Sequence, residues 1–500
     1  MYCSRQIIYV RSIGFLLIAV CNRLVLRFFM FGSIVSFGLT GCAEGPKQDV
    51  DLNIAIIGAG AAGLTAAHTL RKKGYNNITI FEKEPQVGGK VSSFNYKGTT
   101  VEMGAIMTDE TDYPIVLSLA EEYDVEHEVF FNSLELEPGL KPIIEKIMAR
   151  ANSCFYITSH GDCDDYDINP LEIVVWITDS IVNNFWIIPP GFDKAPKSSY
   201  IDMETYLRQR NISSTQYVSK YFATAYGFGY YEDVPAMYYL KYLSMINDLQ
   251  MKLGYFPEGW QSLWIKLADS LDVRLNSSVT EVVRRETDEG IKIDITVNND
   301  PTTLEEFDRV IIASPLQNTD TFLDQTEIER DLFERIDSYN YVVSLVKLKS
   351  ALPLPIDSPL CINYEPSFEC MGITIWGNLD SARLGHVMEI FNVNDEDHVY
   401  AVHQLSDWSL SEGDLYLKLL EDFELLGVEV DTEFQRGGII HQKSWDYFPH
   451  VKSQDLDAGF YQKLESLQGR NGTYYVGGIM NFETVERTAQ YSKHLMKSYF

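Results

Sequence analysis

Cations are scarce in this sequence: 41 Lys and Arg stand against 71 Asp and Glu, for a net charge of −30. A surface that negative repels phosphate backbones, so nucleic acid is not an expected partner, and it disfavours electrostatic adhesion to anionic lipid. Cysteine is sparse too, seven in 500 residues. None of the seven keeps the company of other metal ligands, and no metal is expected. The acidic tract Asp162, Asp164, Asp165 and Asp167 lacks the spacing and distal Glu of a calcium loop and reads as a solvated loop. No internal repeat or low-complexity tract follows residue 51. What is present is an ordinary globular composition, 45% hydrophobic, in a chain long enough for two packed domains. Its 30 Tyr and 26 Phe suit an apolar pocket or an aromatic-rich core.

Acids are absent from residues 1–41, which hold Arg5, Arg11, Arg23 and Arg27. The uncharged run from Phe28 to Thr40 is 13 residues long, short for a membrane span and of signal-peptide length. It ends Leu39-Thr40-Gly41-Cys42, which resembles the lipobox of bacterial lipoproteins. That resemblance implies residues 1–41 as a signal peptide, lipidation of Cys42 and a linker over 42–50. The protein would then be exported and lipid-anchored at the periplasmic or outer-membrane face. The alternative is an uncleaved N-terminal membrane anchor from about residue 12 to 40. Cys154 and Cys163, and likewise Cys361 and Cys370, are nine residues apart. They suit two local disulfides in an oxidising compartment, or four buried thiols.

The clearest motif follows. Residues 53–57 form a short apolar, β-branched run, as a buried parallel strand requires. Gly58-Ala59-Gly60-Ala61-Ala62-Gly63 comes next, then an amphipathic helix, then a second strand over 77–81 ending at Glu82. Gly58 permits a tight turn, Gly60 lets backbone approach a pyrophosphate, and Gly63 lets the helix pack on the strand. The helix N-terminus offers free N–H groups to phosphates, and Glu82 can accept ribose hydroxyls. The pattern predicts an α/β, Rossmann-type dinucleotide-binding fold.

The residues beyond it decide which dinucleotide. Lys83 and the run Glu84-Pro85-Gln86-Val87-Gly88-Gly89-Lys90 resemble the second signature of the flavin amine oxidase superfamily. Met103-Gly104-Ala105-Ile106 resembles the segment beneath the flavin ring in that superfamily. Asp272 to Val279, and Phe307 to Ala313, resemble the strands that return to the cofactor domain, with Val279 meeting adenine through its backbone. Gly472 to Met480 is a strand ending in a Gly-rich turn; with Gly478, Ile479 and Val485 it leads into a helix from about Glu483, whose start would face the flavin. The resemblance implies FAD. No Cys or His lies in the C-terminal pattern, so the FAD is expected to be non-covalent.

Within that superfamily the chain resembles the flavin-dependent polyunsaturated fatty acid double-bond isomerases. The carriers are Tyr226 to Pro235, Tyr239 to Tyr242, Glu102 to Met107, Arg383 to Met388, Tyr447 to Val451, Leu467 to Arg470 and Tyr491 to Leu495. The branch implies hydride removal from a doubly allylic carbon onto flavin N5, in an apolar slot that excludes water. Two departures stand out. The isomerases follow the flavin floor with an Arg for the substrate carboxylate, whereas residues 111–140 contain no Lys or Arg. An aromatic expected near the slot is replaced by Met251. Tyr226, Met251, Trp445 and Tyr447 are the substrate-pocket candidates.

The cofactor domain is expected from residues 51–115, 272–320 and 435–500. The interleaved α+β substrate domain is expected from a mostly helical insert, 116–271, and a strand-rich piece, 321–434, with strands near 341–348, 371–376, 386–393 and 398–404. The expected activity is that of an FAD-dependent oxidoreductase drawing hydride from a hydrophobic or amphipathic small molecule and passing electrons to oxygen or another acceptor. The alternatives are a redox-neutral isomerase of unsaturated fatty acids and a non-catalytic FAD-binding lipoprotein.

Overall fold

The run of β-branched and aliphatic residues after residue 52 forms a buried strand, β1 (Ile54–Ile57), as the periodicity predicts. In the computed structural model, the described residues are 50–132, 189–213, 226–243, 252–288, 290–351, 398–425 and 427–500, with short pieces at 172, 175, 187, 373–374 and 384–389. Residues 50–500 group as one unit. None of the seven cysteines lies among the described residues, and neither does Met251 nor the acidic tract from Asp162 to Asp167.

After β1 come α1 (Ala61–Lys72), β2 (Ile78–Phe81), the hairpin β3 (Ser93–Tyr96) and β4 (Thr99–Glu102), β5 (Thr108–Asp109), α2 (Pro114–Glu122) and β6 (Glu128–Asn132). Next are α3 (Met203–Gln209), α4 (Ala236–Leu243), β7 (Lys252–Tyr255), α5 (Trp260–Ala268), β8 (Asp272–Arg274), β9 (Val279–Thr287), β10 (Gly290–Val297), β11 (Asp300–Phe307) and β12 (Arg309–Ile312). The chain continues through α6 (Glu327–Phe333), β13 (Asp337–Lys347), β14 (Ile373–Thr374), β15 (Leu384–Glu389), β16 (Val399–Ser406), α7 (Glu412–Leu425) and β17 (Ile439–His450). It closes with α8 (Ser453–Asp457), α9 (Phe460–Glu465), β18 (Thr473–Tyr475), α10 (Gly478–Asn481) and α11 (Val485–Tyr499).

Strands from three distant parts of the chain build one parallel sheet in the order β18-β12-β1-β2-β8. Strand order reverses beside β1, and the crevice beyond the strand ends at that point is where such sheets bind ligands. Helix α11 packs on α1, and its terminal Phe500 carbonyl accepts the Tyr75 hydroxyl at 3.1 Å. A second sheet, β14-β15-β16-β13-β17, is antiparallel. Alternation along β13 divides its residues between two layers. Val346 packs with Leu419 and Phe423 of α7, while Tyr341, Val343 and Leu345 pack with Tyr96, Val101 and Met103.

Two differences from the sequence reading have local causes. The mostly helical insert 116–271 also contributes β6 and β7, and β7 pairs with both β5 and β6 in a small antiparallel sheet. The last helix starts at Val485 instead of near Glu483, because the Thr484 hydroxyl caps it by accepting the Arg487 N–H.

Candidate functional site

Two glycine turns meet back to back at the crevice. Gly60 bridges to Gly88, and the Gly88 N–H donates to the Ala59 carbonyl at 2.9 Å. A Cβ on Gly89 would lie 3.2 Å from the Gly60 Cα, and one on Gly63 only 2.0 Å from the Gly58 carbonyl oxygen. Only hydrogen fits at the latter position, which is how α1 starts hard against β1. Glu82 lies at the end of β2 and is buried; its carboxylate accepts the Ala59 N–H at 2.8 Å and the Glu84 N–H at 2.9 Å. A carboxylate offers about four acceptor positions, so two remain for a ligand's hydroxyls. The Glu82 carbonyl accepts the Ser277 N–H at 2.7 Å, which brings the approach to Val279 alongside. Ala313 closes the turn over Gly58 from β12. Ala62 and Ile479 are buried, Ala105, Ile106, Gly478 and Val485 half-buried, and Lys83 is exposed, 4.0 Å from Glu84.

A flavin dinucleotide fits this cradle by a donor–acceptor test. Ser314 Oγ, Gln317 Oε1 and Glu483 Oε2 are buried and lack a hydrogen-bond partner among the described residues. Ser314 follows Ala313 at the strand end, while Gln317 Nε2 donates to Asp446 at 3.0 Å, so these groups belong to the same crevice. Unused acceptors there match a ligand rich in hydroxyls and N–H groups.

Beyond the cradle the second sheet presents an aromatic wall. Register pairs Tyr341 with Trp445 and Tyr339 with Tyr447 across β13 and β17. Tyr341 stacks on Tyr447 with centroids 5.0 Å apart, and Phe228 lies 5.7 Å from Tyr447 on another side. The Trp445 indole donates to the Met103 carbonyl at 2.6 Å, fixing this wall to the segment Met103–Ile106. Tyr226, Tyr242 and Tyr447 are only half-buried by surface, yet burial pushes the Tyr226 hydroxyl up to about 12 and those of Tyr242 and Tyr447 well above the usual phenol value. The sequence candidates Tyr226, Trp445 and Tyr447 therefore come together.

Reasoning from sequence missed Tyr341, Tyr242 and Glu483. Lys90, the residue after the Gly-Gly turn, donates to Glu483 Oε1 at 2.7 Å and lies 5.4 Å from the Tyr447 ring centroid. Burial raises the Glu483 carboxyl above its usual range, against the opposing pull of Lys90. Lys90 is legible from the sequence as the residue after the Gly-Gly turn, whereas Glu483 is marked there only as lying near the start of the last helix.

Glu486 binds the site to its frame. Helix α2 begins with Pro114 and has no cap of its own; the buried Glu486 carboxylate accepts the Ile115 N–H at 3.1 Å and the Val116 N–H at 2.9 Å. Burial raises its pKa from 4.5 to about 7. A raised carboxyl contributes stability that is fully present below 4.5 and lost as pH rises through 7. Between about pH 5 and 7 this group should cost about 2 kcal/mol of stability. Thermal melts across that range should show a shallower decline in Glu486→Gln than in the native protein; parallel curves would refute the assignment.

A doubly wound sheet, a paired glycine cradle at its switch point and an aromatic wall over it define a dinucleotide-binding enzyme. The sequence matches the family described as flavin containing amine oxidoreductase over residues 61–348, and the chain belongs to that family. It is similar to the polyenoic fatty acid isomerase of Ptilota filicina, 20% identical over 545 aligned positions that cover 96% of this chain and 99% of that one. Among solved structures, the CLA-producing fatty acid isomerase from P. acnes superposes with a TM-score of 0.69 at 24% identity, covering 91% of this chain and 100% of that one. Putrescine oxidase bound to putrescine gives 0.60 at 14% identity, covering 90% and 98%. At these identities the structural likeness establishes the fold. The family establishes a flavin-dependent enzyme. Among the described residues no group of three or more His, Cys, Asp and Glu is disposed to hold a metal ion, and no helix is long and apolar enough to cross a membrane.

Proposed function

We propose that the chain is an FAD-dependent oxidoreductase, holding FAD without a covalent bond, that removes hydride from a C–H bond of a hydrophobic or amphipathic small molecule. The observation that carries this reading is the aromatic wall tied through Trp445 to the segment Met103–Ile106, directly beside the glycine cradle. FAD, when bound, supplies a hydride acceptor at N5. The chain's own residues do the rest. Backbone N–H groups at Gly60 and the start of α1 hold phosphate. Glu82 holds ribose hydroxyls, Val279 flanks the adenine, and Gly88, Gly89 and Lys90 close the turn over the pyrophosphate side. Tyr226, Tyr341 and Tyr447 exclude water and orient the substrate chain, so that positioning replaces acid–base chemistry.

A second reading, a redox-neutral isomerase of unsaturated fatty acids, is supported by the near full-length likeness to proteins named as fatty acid isomerases. Anaerobic incubation of the purified flavoprotein with unsaturated lipids separates the two. One flavin equivalent of product followed by a halt supports the oxidoreductase; continued turnover supports the isomerase; no flavin band after reconstitution ends both. The same reading includes export and a lipid tether at Cys42, for which acyl labelling that persists in Cys42→Ala is the refuting result. Electrons would pass to an acceptor such as oxygen.

A further inference from the structure

We propose that the Lys90–Glu483 pair borders the flavin ring of bound FAD and sets its reduction potential: the carboxylate offsets the ammonium, so that a hydride accepted by the ring is held loosely enough to be passed on. This rests on the flavin reading above and goes beyond it by giving two residues a role in the electronics of the cofactor.

The pair lies where the glycine cradle meets the aromatic wall. Lys90 directly follows the Gly88-Gly89 turn, and its ammonium is 5.4 Å from the Tyr447 ring centroid. Glu483 reaches it from beside the other glycine turn of the crevice. A Cβ on Gly478 would lie 2.2 Å from Glu483 Oε2, so the missing side chain there is what admits the carboxylate. Oε1 accepts from Lys90 at 2.7 Å, while Oε2 is buried and has no hydrogen-bond partner among the described residues. A buried acceptor left open between two glycine turns calls for a donor on the ligand. Asp446 on β17 is the other carboxylate whose charge reaches Glu483, and its oxygens are taken by the Gln317 and Asn318 amides at 3.0 and 3.1 Å.

The signs of the two charges decide their effect. A hydride carries two electrons and one proton, so the ring that accepts it gains one negative charge. Lys90 alone would stabilise that charge and keep the ring reduced; Glu483 opposes it. Water screens this pair less than it screens a surface pair. The Lys90 and Glu483 side chains are 29% and 9% exposed, against 48% and 72% for Lys349 and Glu429, which stand at the same 2.7 Å. A ring that does not trap its electrons serves both transfer to an acceptor and return to the substrate.

The test measures the two-electron reduction equilibrium of the FAD-loaded full-length protein against dyes of known potential, without oxygen. Glu483→Gln leaves Lys90 uncompensated and should shift the equilibrium toward reduced flavin at least about tenfold, about 30 mV for a two-electron couple. Adding Lys90→Met removes both charges and should bring the equilibrium back to within about threefold of the native value, near the usual scatter of additive effects. Glu429→Gln, which breaks the exposed pair, should leave it within about twofold. A smaller shift in Glu483→Gln, or one toward oxidised flavin, overturns the proposal. So does a double variant that stays further from the native value, because altered packing and not charge would then be the cause. A large shift in Glu429→Gln overturns it as well. If Glu483→Gln does not retain FAD, Lys90→Met alone at pH 9 decides: a shift of about tenfold toward oxidised flavin upholds the pair and a smaller one overturns it. Native protein that binds FAD while its variants fail these tests leaves the flavin reading standing; native protein that takes up no FAD refutes that reading, and this inference with it.

Discussion

Gly104→Ala should strip the protein of flavin and destabilise it by about 3 kcal/mol or more, the upper end of what overpacking costs. A Cβ on Gly104 would lie 1.8 Å from the Lys90 carbonyl oxygen and 3.0 Å from its carbon. Neither side can yield cheaply. The Met103 N–H donates to the Ser92 carbonyl at 2.8 Å while the Met103 carbonyl is held by Trp445. Glu102 is fixed by the Trp260 N–H at 2.9 Å and the Ser93 hydroxyl at 2.8 Å. On the other side Lys90 is tied to Glu483, and the Val91 N–H to the Gly88 carbonyl at 3.0 Å. The displacement passes to Gly88 and Gly89, whose close approach to Gly60 forms the cradle. Flavin content after purification should fall at least about tenfold, since loss of 1.4 kcal/mol of binding is already a decade. Gly413→Ala is the control. Its Cβ would meet nothing closer than 3.7 Å, and helix propensity favours Ala there by up to about 1 kcal/mol. Retention of flavin and an unshifted melt in Gly104→Ala would remove this account of the floor.

What could be read from sequence was what local backbone chemistry dictates. The strand, the Gly58–Gly63 turn, α1 and Glu82 are contiguous, and each needs a particular residue type at a particular position. The Gly88-Gly89 turn and the Gly-rich end of β18 are legible for the same reason. The aromatic slot is different. Tyr341 and Trp445 become neighbours only through the register of β13 on β17, and nothing local in either strand specifies which of the chain's 30 Tyr will join the aromatic wall. Tyr447 was found because it belongs to a recognisable run; Tyr242 ends another such run without being singled out for the wall, and Tyr341 carries no such mark. The sequence places the last helix from about Glu483; it starts at Val485 behind the Thr484 cap, and Glu483, just before that cap, bonds Lys90. The small sheet of β5, β7 and β6 was missed because β7 is short and its partners lie far away in sequence.

The same blindness hides the most buried ion pair among the described residues, and there the second large effect is expected. Arg284 on β9 and Glu329 on α6 are 3% and 2% exposed and bonded side by side, at 2.7 and 2.8 Å. Arg284 Nε also donates to Asp324 at 2.6 Å, and the Tyr475 hydroxyl of β18 donates to Glu329 at 2.5 Å. The Thr326 N–H completes a capping box on Glu329 at 2.7 Å. Arg284→Met would leave Glu329 buried with the phenol and one N–H, and removing one partner of a buried pair costs about 3–5 kcal/mol. Titration leads to a similar figure. Although burial pushes the other way, the Arg284 and Tyr475 bonds hold the Glu329 pKa down from 4.5 to about 2. A lowered carboxyl contributes stability that is present above 4.5 and lost as pH falls through 2. That is about 3 kcal/mol at neutral pH. Without Arg284 the Glu329 carboxyl protonates at higher pH, so the deficit of Arg284→Met should be largest near neutrality and shrink as the solution is acidified toward about pH 3. Adding Glu329→Gln should recover about 2 kcal/mol of that deficit, because the amide oxygen accepts the Thr326 N–H and the amide nitrogen donates to the Tyr475 hydroxyl without a charge to bury. Denaturant melts of the two variants and the native protein over pH decide it: a deficit that is flat with pH, or a double variant no more stable than Arg284→Met, would mean that lost packing and not an uncompensated buried charge is what the arginine prevents.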